Sequence, residues 1–329
     1  MRGIPLNHTI DDIMHNRFNL PHLCLVVFYV CSCTAGSKAD EVEWHPRWNV
    51  GDQFTVELVK ERTTAPQGKA GSNKGRVLLD MAILEKGEDF YIVQCTYGKY
   101  ELEGTQKNNP LVAKMMNISE GLRLRIKTDE DGTPQKLINI DEIVEKSKKA
   151  IDLIEEFLKE NKLPQAMIDQ TLSPARAMYK EPETVERTML NEMTLFFLFC
   201  GTSLEPGNPV EFDESLPNPF PGEPLPGKGS ILLKDFDKQT GIATVEYRLS
   251  VDKEKAAPIL FAAMKKMMPQ ASIPTNEEMP QLDFSDITFY RIDTKRGWVL
   301  SVEHSRDIKT NGQSQRVQSL SFKTLKDKR

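Results

Sequence analysis

The sequence predicts an α+β protein in which an antiparallel sheet, built from hairpins, is covered on one face by helices. Short segments of alternating apolar and polar residues recur with glycine-bearing turns between them, which is typical of antiparallel strands. A long segment, residues 140–200, instead places apolar residues at three- and four-residue steps, and residues 256–268 do the same among the later strands. Grouped rather than alternating helices and strands favour the α+β class.

Residues 1–39 have the order of a secretory signal. Arg17 precedes a short apolar run, residues 23–30, and small residues follow. This run is shorter than the roughly 18 apolar residues of a membrane span. The first 13 residues fit the pattern badly because two aspartates stand where positive charge is expected, so Met14 is favoured as the translation start. We therefore expect an exported protein, periplasmic or otherwise associated with a cell envelope.

Two ways of leaving the signal stay open. Ser37 and Ala39 place small residues at positions −3 and −1, which suits cleavage before Asp40. Alternatively, residues 30–33 resemble a bacterial lipobox, in which Cys33 would be lipidated. In that case the lipid anchor would be the protein's attachment to a membrane.

The composition after the signal excludes some classes of function. Residues 40–329 carry 40 basic against 46 acidic side chains, so no nucleic-acid partner is expected. Cys95 and Cys200 are the cysteines of this part, and either one disulfide or two buried thiols would be consistent with it.

Residues 40–139 predict an N-terminal β half. Phe54, Val56 and Leu58 alternate with polar residues and indicate a half-buried strand, followed by a flexible Gly-rich connection. Two hairpins and a short helix between them follow, at residues 76–84 and 89–96, 111–116, and 122–127 and 135–140.

Residues 140–201 predict a helical segment. An amphipathic helix begins at Ile140 and ends before Pro164. Ser173 and Pro174 have the cap chemistry of a short second helix. A third helix starts at Pro182 and runs into the apolar residues 195–200, which could equally end as a strand.

Residues 202–229 predict a Pro/Gly-rich connector without regular structure, because seven prolines lie between positions 205 and 229. Residues 230–329 predict a C-terminal β half with one helix, at 256–268. The strands that close the chain lie at residues 287–292, 298–306 and 315–322.

The two β halves echo each other in sequence. Residues 74–79 and 228–233 share the pattern Lys-Gly-x-apolar-Leu-Leu, and residues 125–128 resemble residues 291–294. A duplicated half and a chance similarity between hairpins both stay open.

Several of these features together resemble uncharacterised bacterial secreted or envelope proteins. They are the signal or lipobox, the strand after residues 48–52, the late turn before Gly297 and Trp298, and the closing hairpin. The same element order is similar to the LolA-type lipoprotein and lipid carriers, whose curved antiparallel sheet wraps helices around an apolar cavity. The resemblance covers about half of the mature chain, and the long helical middle departs from it. It implies a fold and transfers no functional residue.

The sequence carries no motif for catalysis or for a cofactor. His45 and His304 are the histidines after the signal, and neither lies in an HExxH-like or CxxC-like context, so no metal site and no cofactor are predicted. No GxSxG motif occurs, and neither cysteine has a recognisable nucleophile context. The prediction therefore leans against an enzyme, with a hydrolase as the least favoured function.

Met264, Met267 and Met268 are the candidate ligand-binding residues. They follow one stripe of the helix at 256–268, and methionine adapts to irregular apolar shapes. Ordinary packing in the core explains the same stripe. The predicted function is non-catalytic binding of an apolar ligand or lipid. The alternative is a structural or assembly protein that binds another envelope protein.

Overall fold

The computed structural model describes residues 41–64, 71–104, 107, 110–216, 223–267, 282–310 and 313–328. This part of the chain forms an α+β fold with one large antiparallel sheet and five helices, as predicted. The signal segment with Cys33 lies outside the described residues. None of the helices within the described ranges is long and apolar enough to cross a membrane.

The helices occur in three places along the chain. They are α1 (Pro110–Ser119), α2 (Ile140–Glu160), α3 (Gln165–Met178), α4 (Pro182–Phe196) and α5 (Lys253–Met267). The strands of the first half are β1 (Val42–Glu43), β2 (Gln53–Thr64), β3 (Gly71–Lys86), β4 (Phe90–Tyr97), β5 (Glu101–Gly104), β6 (Arg123–Asp129) and β7 (Pro134–Leu137). Those of the second half are β8 (Ser203–Leu204), β9 (Val210–Leu216), β10 (Leu225–Asp237), β11 (Ile242–Val251), β12 (Leu282–Asp293), β13 (Trp298–Thr310) and β14 (Gln313–Lys328).

The large sheet has twelve strands, and eleven of them follow the order β9-β10-β11-β12-β13-β14-β2-β3-β4-β6-β7, with β5 pairing to β3. Most neighbours in the sheet are therefore also neighbours in sequence, whereas the pairing of β14 with β2 joins the two ends of the chain. The short strands β1 and β8 pair separately.

The sequence echo coincides with a repeated element order. Each half forms a meander with a helix inserted before a later strand: α1 precedes β6, and α5 precedes β12. The shared Lys-Gly pattern lies at corresponding places in β3 and β10, where Gly75 and Gly229 each stand two residues before an inward apolar residue.

One face of the sheet, here called the inner face, carries the main apolar core. Along β2 this face alternates with the outer one, so that Phe54, Val56 and Leu58 are buried and their neighbours are not. The inner face has two ends. At the aromatic end lie the turns at residues 87–89, 130–133, 238–241 and 294–297, and at the polar end lie the opposite ends of the same strands.

The end of α4 and the turn after it fill the aromatic end. The ring of Phe196 lies 5.2 Å from that of Phe322, and Phe197 lies 5.6 Å from Trp48. The Tyr290 hydroxyl donates to the carbonyl oxygen of Leu195 at 2.9 Å, which ties the helix to the middle of the sheet. Close aromatic packing of this kind is typical of a hydrophobic core.

The second helix of the middle segment was predicted wrongly. It begins at Gln165, directly after Pro164, and continues through Pro174 to Met178. Pro174 is exposed, and proline removes a single backbone donor, so the apolar contacts of Leu172 and Ala175 keep the helix intact.

The prediction that residues 202–229 lack regular structure was also wrong. Val210–Leu216 form β9 at the edge of the sheet, and β10 already begins at Leu225. An edge strand tolerates prolines at its borders because half of its backbone groups have no ladder partner.

Two open alternatives are resolved by the structure. Helix α4 ends at Phe196 and residues 197–201 form turns, so the aromatic run is neither a continued helix nor a strand. Cys95 and Cys200 are both free and buried, which excludes a disulfide between them. Burial raises the pKa of both thiols well above its ordinary value, so neither is a reactive thiolate.

Candidate functional site

The helix that carries Met264 and Met267, α5, begins at the polar end, directly after β11. Met264 and Met267 belong to α5, but their side chains, like the whole of Met268, lie outside the described residues. Earlier in the same helix, Ala256 and Leu260 are buried in the main core. The first half of α5 therefore packs in the ordinary core.

A row of residues across the sheet forms the last fully apolar layer before the polar end. Backbone pairing places them side by side from β3 to β10, and each is at most 1% exposed. We call them the apolar rung: Val77, Leu58, Phe322, Val302, Tyr290, Val245 and Leu233.

The next two rows on the same inner face contain polar residues between apolar ones, and we call them the polar rungs. A step of two residues along a strand covers about 7 Å. The first polar rung consists of Gly75, Lys60, Leu320, His304, Thr288, Tyr247 and Ile231. The second consists of Asn73, Arg62, Gln318, Arg306, Asp286, Leu249 and Gly229.

Lys60, Asp286 and Arg306 of these rungs take part in two ion pairs. The guanidinium of Arg306 donates through Nε to Asp286 Oδ1 at 2.7 Å and through Nη2 to Oδ2 at 2.5 Å, and both residues are buried. Lys60 forms an ion pair with Glu192 of α4. Buried charges of this kind are tolerated only when they are paired.

A buried histidine lies between these pairs. The His304 ring nitrogen Nδ1 and the Thr288 hydroxyl are 2.8 Å apart. Burial lowers the pKa of His304 to about 4, so its ring is neutral at neutral pH.

Tyr247 adds a hydroxyl that the protein does not satisfy. The residue is 4% exposed, and its hydroxyl has no hydrogen-bond partner among the described residues. Its ring packs edge-on against Phe199 and stacks on Phe212 with the centroids 6.1 Å apart. Burial raises the pKa of Tyr247, and the nearby carboxylates Glu214 and Asp286 raise it further.

Solvent reaches the inner face from the polar end. Along β2, Val56 and Leu58 are fully buried whereas Lys60 and Arg62 are partly exposed. Along β13, exposure rises from Val302, which is fully buried, to Ile308, which is partly exposed. Exposure therefore begins within the polar rungs at Lys60 and Arg62 on β2, whereas His304 and Arg306 on β13 are still buried.

The aromatic end has its own polar contact. His45 lies between two carboxylates, with Nε2 2.6 Å from Glu43 Oε1 and Nδ1 2.8 Å from Asp131 Oδ1. The contact holds residues 41–48 across the turns of the aromatic end, where the carbonyl oxygen of Gly297 accepts a hydrogen bond from the Trp48 indole at 3.1 Å. Among the described residues no group of three metal-binding side chains is found.

The sequence did not reveal the polar rungs. In β2 the run from Lys60 to Arg62 reads as a solvated strand end. The signal that would have found them is the alternation itself, because continuing the step of two from Leu58 places Lys60 and Arg62 inward. The apolar rung and the polar rungs together place a few polar groups beside an apolar surface. This composition is typical of small-molecule binding sites.

No protein-family model matches the chain, and no curated protein is similar to it. Among solved structures it is similar to lipovitellin, described for its lipid–protein interactions, with 8% identity and a TM-score of 0.42 over 85% of this chain and 26% of that one. The chain thus spans about a quarter of lipovitellin. It is also similar to Rv2717c from M. tuberculosis, with 9% identity and a TM-score of 0.22 over 84% and 92% of the two chains. A porin-like protein from Bacteroides uniformis aligns with 10% identity and a TM-score of 0.16 over 83% and 96% of the two chains. Similarities at this level assign neither a family nor a function.

Proposed function

We propose that the protein binds an amphiphilic ligand, a molecule with an apolar chain and a polar head, at the polar end of the inner face and without catalysis. The observation that supports this is the change from the apolar rung to two polar rungs within one enclosed face. A face built only to be packed would have no need for charges there, since paired buried charges rarely stabilise a fold more than apolar residues do.

The apolar chain would lie against α5 and the polar head against the polar rungs. The buried Leu260 places the middle of α5 beside the core, and Met264 and Met267 follow in the next turns. A cavity of a few hundred Å³ would bury most of an acyl chain, at roughly 0.8 kcal/mol per methylene.

Native mass spectrometry of protein purified without detergent tests the proposal. We expect a lipid-sized adduct, or uptake of a fluorescent fatty acid that unlabelled lipid displaces. If neither adduct nor displaceable uptake is found, the protein does not bind amphiphiles.

The variant Met264→Lys tests where the chain lies. A charge in the wall of an open cavity should weaken uptake about tenfold or more and leave the melting temperature nearly unchanged. Met167→Lys is the matched control, because Met167 lies on helix α3 with 40% of its surface exposed and should alter neither property. If Met264→Lys unfolds the protein and native protein carries no lipid, the stripe is ordinary core and the proposal fails.

We also propose that the protein is exported, as the pattern of residues 1–39 suggests. The mature N-terminus in the native host would be Asp40, or an acylated Cys33. Intact-mass measurement of the native protein distinguishes the two, and a retained Met1 would refute export.

A further inference from the structure

Glu214 is a partly buried carboxylate without a counter-ion. It lies on the inner side of β9, where it accepts a hydrogen bond from the Ser215 backbone at 2.9 Å and forms no ion pair with any described residue. Burial raises the pKa of Glu214, as expected for a charge that nothing compensates.

The Tyr247 hydroxyl, which has no hydrogen-bond partner among the described residues, lies on the same face of the sheet as Glu214. Backbone pairing through β10 places Glu214 and Tyr247 on the same inner face, two strands apart, although 33 positions separate them in sequence. A buried hydroxyl without a partner is costly to a fold, on the order of 1–3 kcal/mol by mutational data. Among the described residues Glu214 has no counter-ion and the Tyr247 hydroxyl has no hydrogen-bond partner, which indicates that a bound molecule supplies both.

Aromatic rings flank these groups. Phe212, two residues before Glu214, stacks on Tyr247. Gly229 makes this arrangement possible, because a Cβ at that position would lie 2.2 Å from the Phe212 ring. Aromatic faces next to a carboxylate attract organic cations.

The charges of the neighbourhood decide which kind of head group fits. Asp286 and Arg306 neutralise each other through their paired hydrogen bonds. The neutral ring of His304 adds no charge. Among the residues that the structure describes, Glu214 is therefore left as one negative charge without a counter-ion, which repels an anionic head group and attracts a cationic one.

We propose that the head group of the ligand carries an ammonium group, which Glu214 binds beside the rings of Phe212 and Tyr247, while the Tyr247 hydroxyl donates a hydrogen bond to an oxygen of the same ligand. A zwitterionic phospholipid head, with an ammonium group and phosphate or ester oxygens, has this combination. The inference rests on the proposed function, because it names the class of amphiphile that the site would take.

Amphiphiles with one chain and different heads provide the test. Isothermal titration calorimetry, below the micelle concentrations, would compare dodecylphosphocholine with dodecyl phosphate and dodecyl maltoside. We expect dodecylphosphocholine to bind about tenfold more tightly than dodecyl phosphate, and Glu214→Gln to remove this preference. Glu211→Gln is the matched control, because Glu211 lies on the same strand but is exposed on the outer side.

Tyr247→Phe separates a ligand contact from a packing role. Removing an unsatisfied hydroxyl should leave the melting temperature unchanged or raise it, and should weaken dodecylphosphocholine binding at the same time. If all three amphiphiles bind equally and Glu214→Gln has no effect, the head-group inference is wrong while the proposed function stands. If none of them binds, the proposed function fails and the inference fails with it.

Discussion

Along β2, Val56 and Leu58 are fully buried at the aromatic side of the inner face, whereas Lys60 and Arg62 occupy the same face one and two steps further on. The neighbouring strands make the same change: β13 passes from Val302 to Arg306. One set of strands thus builds two environments that differ in chemistry although their backbone pairing is continuous.

The two ends contribute differently to stability. Burying a large apolar side chain stabilises a fold by about 1.5–3 kcal/mol. A buried ion pair gains little over apolar residues of the same size, because desolvation offsets its attraction. We infer that the aromatic end provides most of the stability of the sheet and that the polar end is available for recognition.

The largest loss of stability is expected from a substitution at the aromatic end. Trp298 stacks on Phe54 with the ring centroids 3.5 Å apart and also meets Trp48 and Phe196 edge-on. Trp298→Ala should lower the free energy of unfolding by about 3–5 kcal/mol, measured by denaturant titration. Phe289→Ala, on the outer face and 36% exposed, is the control and should cost much less. Equal costs for the two would contradict the assignment of stability to the aromatic end.

A second prediction concerns the ion pair at the polar end. Asp286→Ala leaves Arg306 as an uncompensated buried charge and should cost about 3 kcal/mol. The double variant Asp286→Leu with Arg306→Met should recover most of this loss, because it replaces the pair by apolar side chains of similar volume. If the double variant is as unstable as the single one, the pair is essential to the fold and the two ends do not differ as proposed.

The sequence was sufficient for those features that depend on local patterns. The strand alternation through Phe54 and the helical spacing from Ile140 are local, and both elements form where they were predicted. Pro174 shows one limit, because the packing of the surrounding helix outweighs the preference of a single residue for the first turn.

The candidate site could not be predicted in the same way. Glu214 and Tyr247 lie on strands separated by β10, and Lys60 meets a glutamate 132 positions away. These contacts depend on sheet order and register, which the hydrophobic pattern of one strand does not specify. The pairing of β14 with β2, which completes both polar rungs, joins residues from opposite ends of the chain.

The two histidines of the described chain give the two ends opposite responses to pH. At the polar end, burial lowers the folded-state pKa of His304 from 6.5 to about 4. The neutral His304 therefore contributes fully to the free energy of unfolding above pH 6.5. This contribution is lost as the pH falls toward 4, which lowers the free energy of unfolding by at most about 3 kcal/mol. We expect the unfolding free energy of His304→Gln to fall less between pH 6.5 and pH 4.5 than that of the unmodified protein. Parallel curves over this range would contradict a buried, neutral His304.

The smallest effect is expected at the aromatic end, and it has the opposite sign. Glu43 and Asp131 can both accept hydrogen bonds from His45 only if the ring is protonated at both nitrogens. These hydrogen bonds, to Glu43 first, raise the pKa of His45 above 6.5. The contact therefore stabilises the protein fully below pH 6.5 and loses its effect as the pH rises through the folded-state pKa. Because the imidazole is well exposed, solvent screening keeps the contribution below about 1 kcal/mol.

The difference in melting temperature between the unmodified protein and His45→Gln should thus shrink from pH 6 to pH 9, and Asp131→Asn should reduce that change. If the difference in melting temperature grows with pH instead, the protonated His45 does not stabilise the contact between residues 41–48 and the aromatic end.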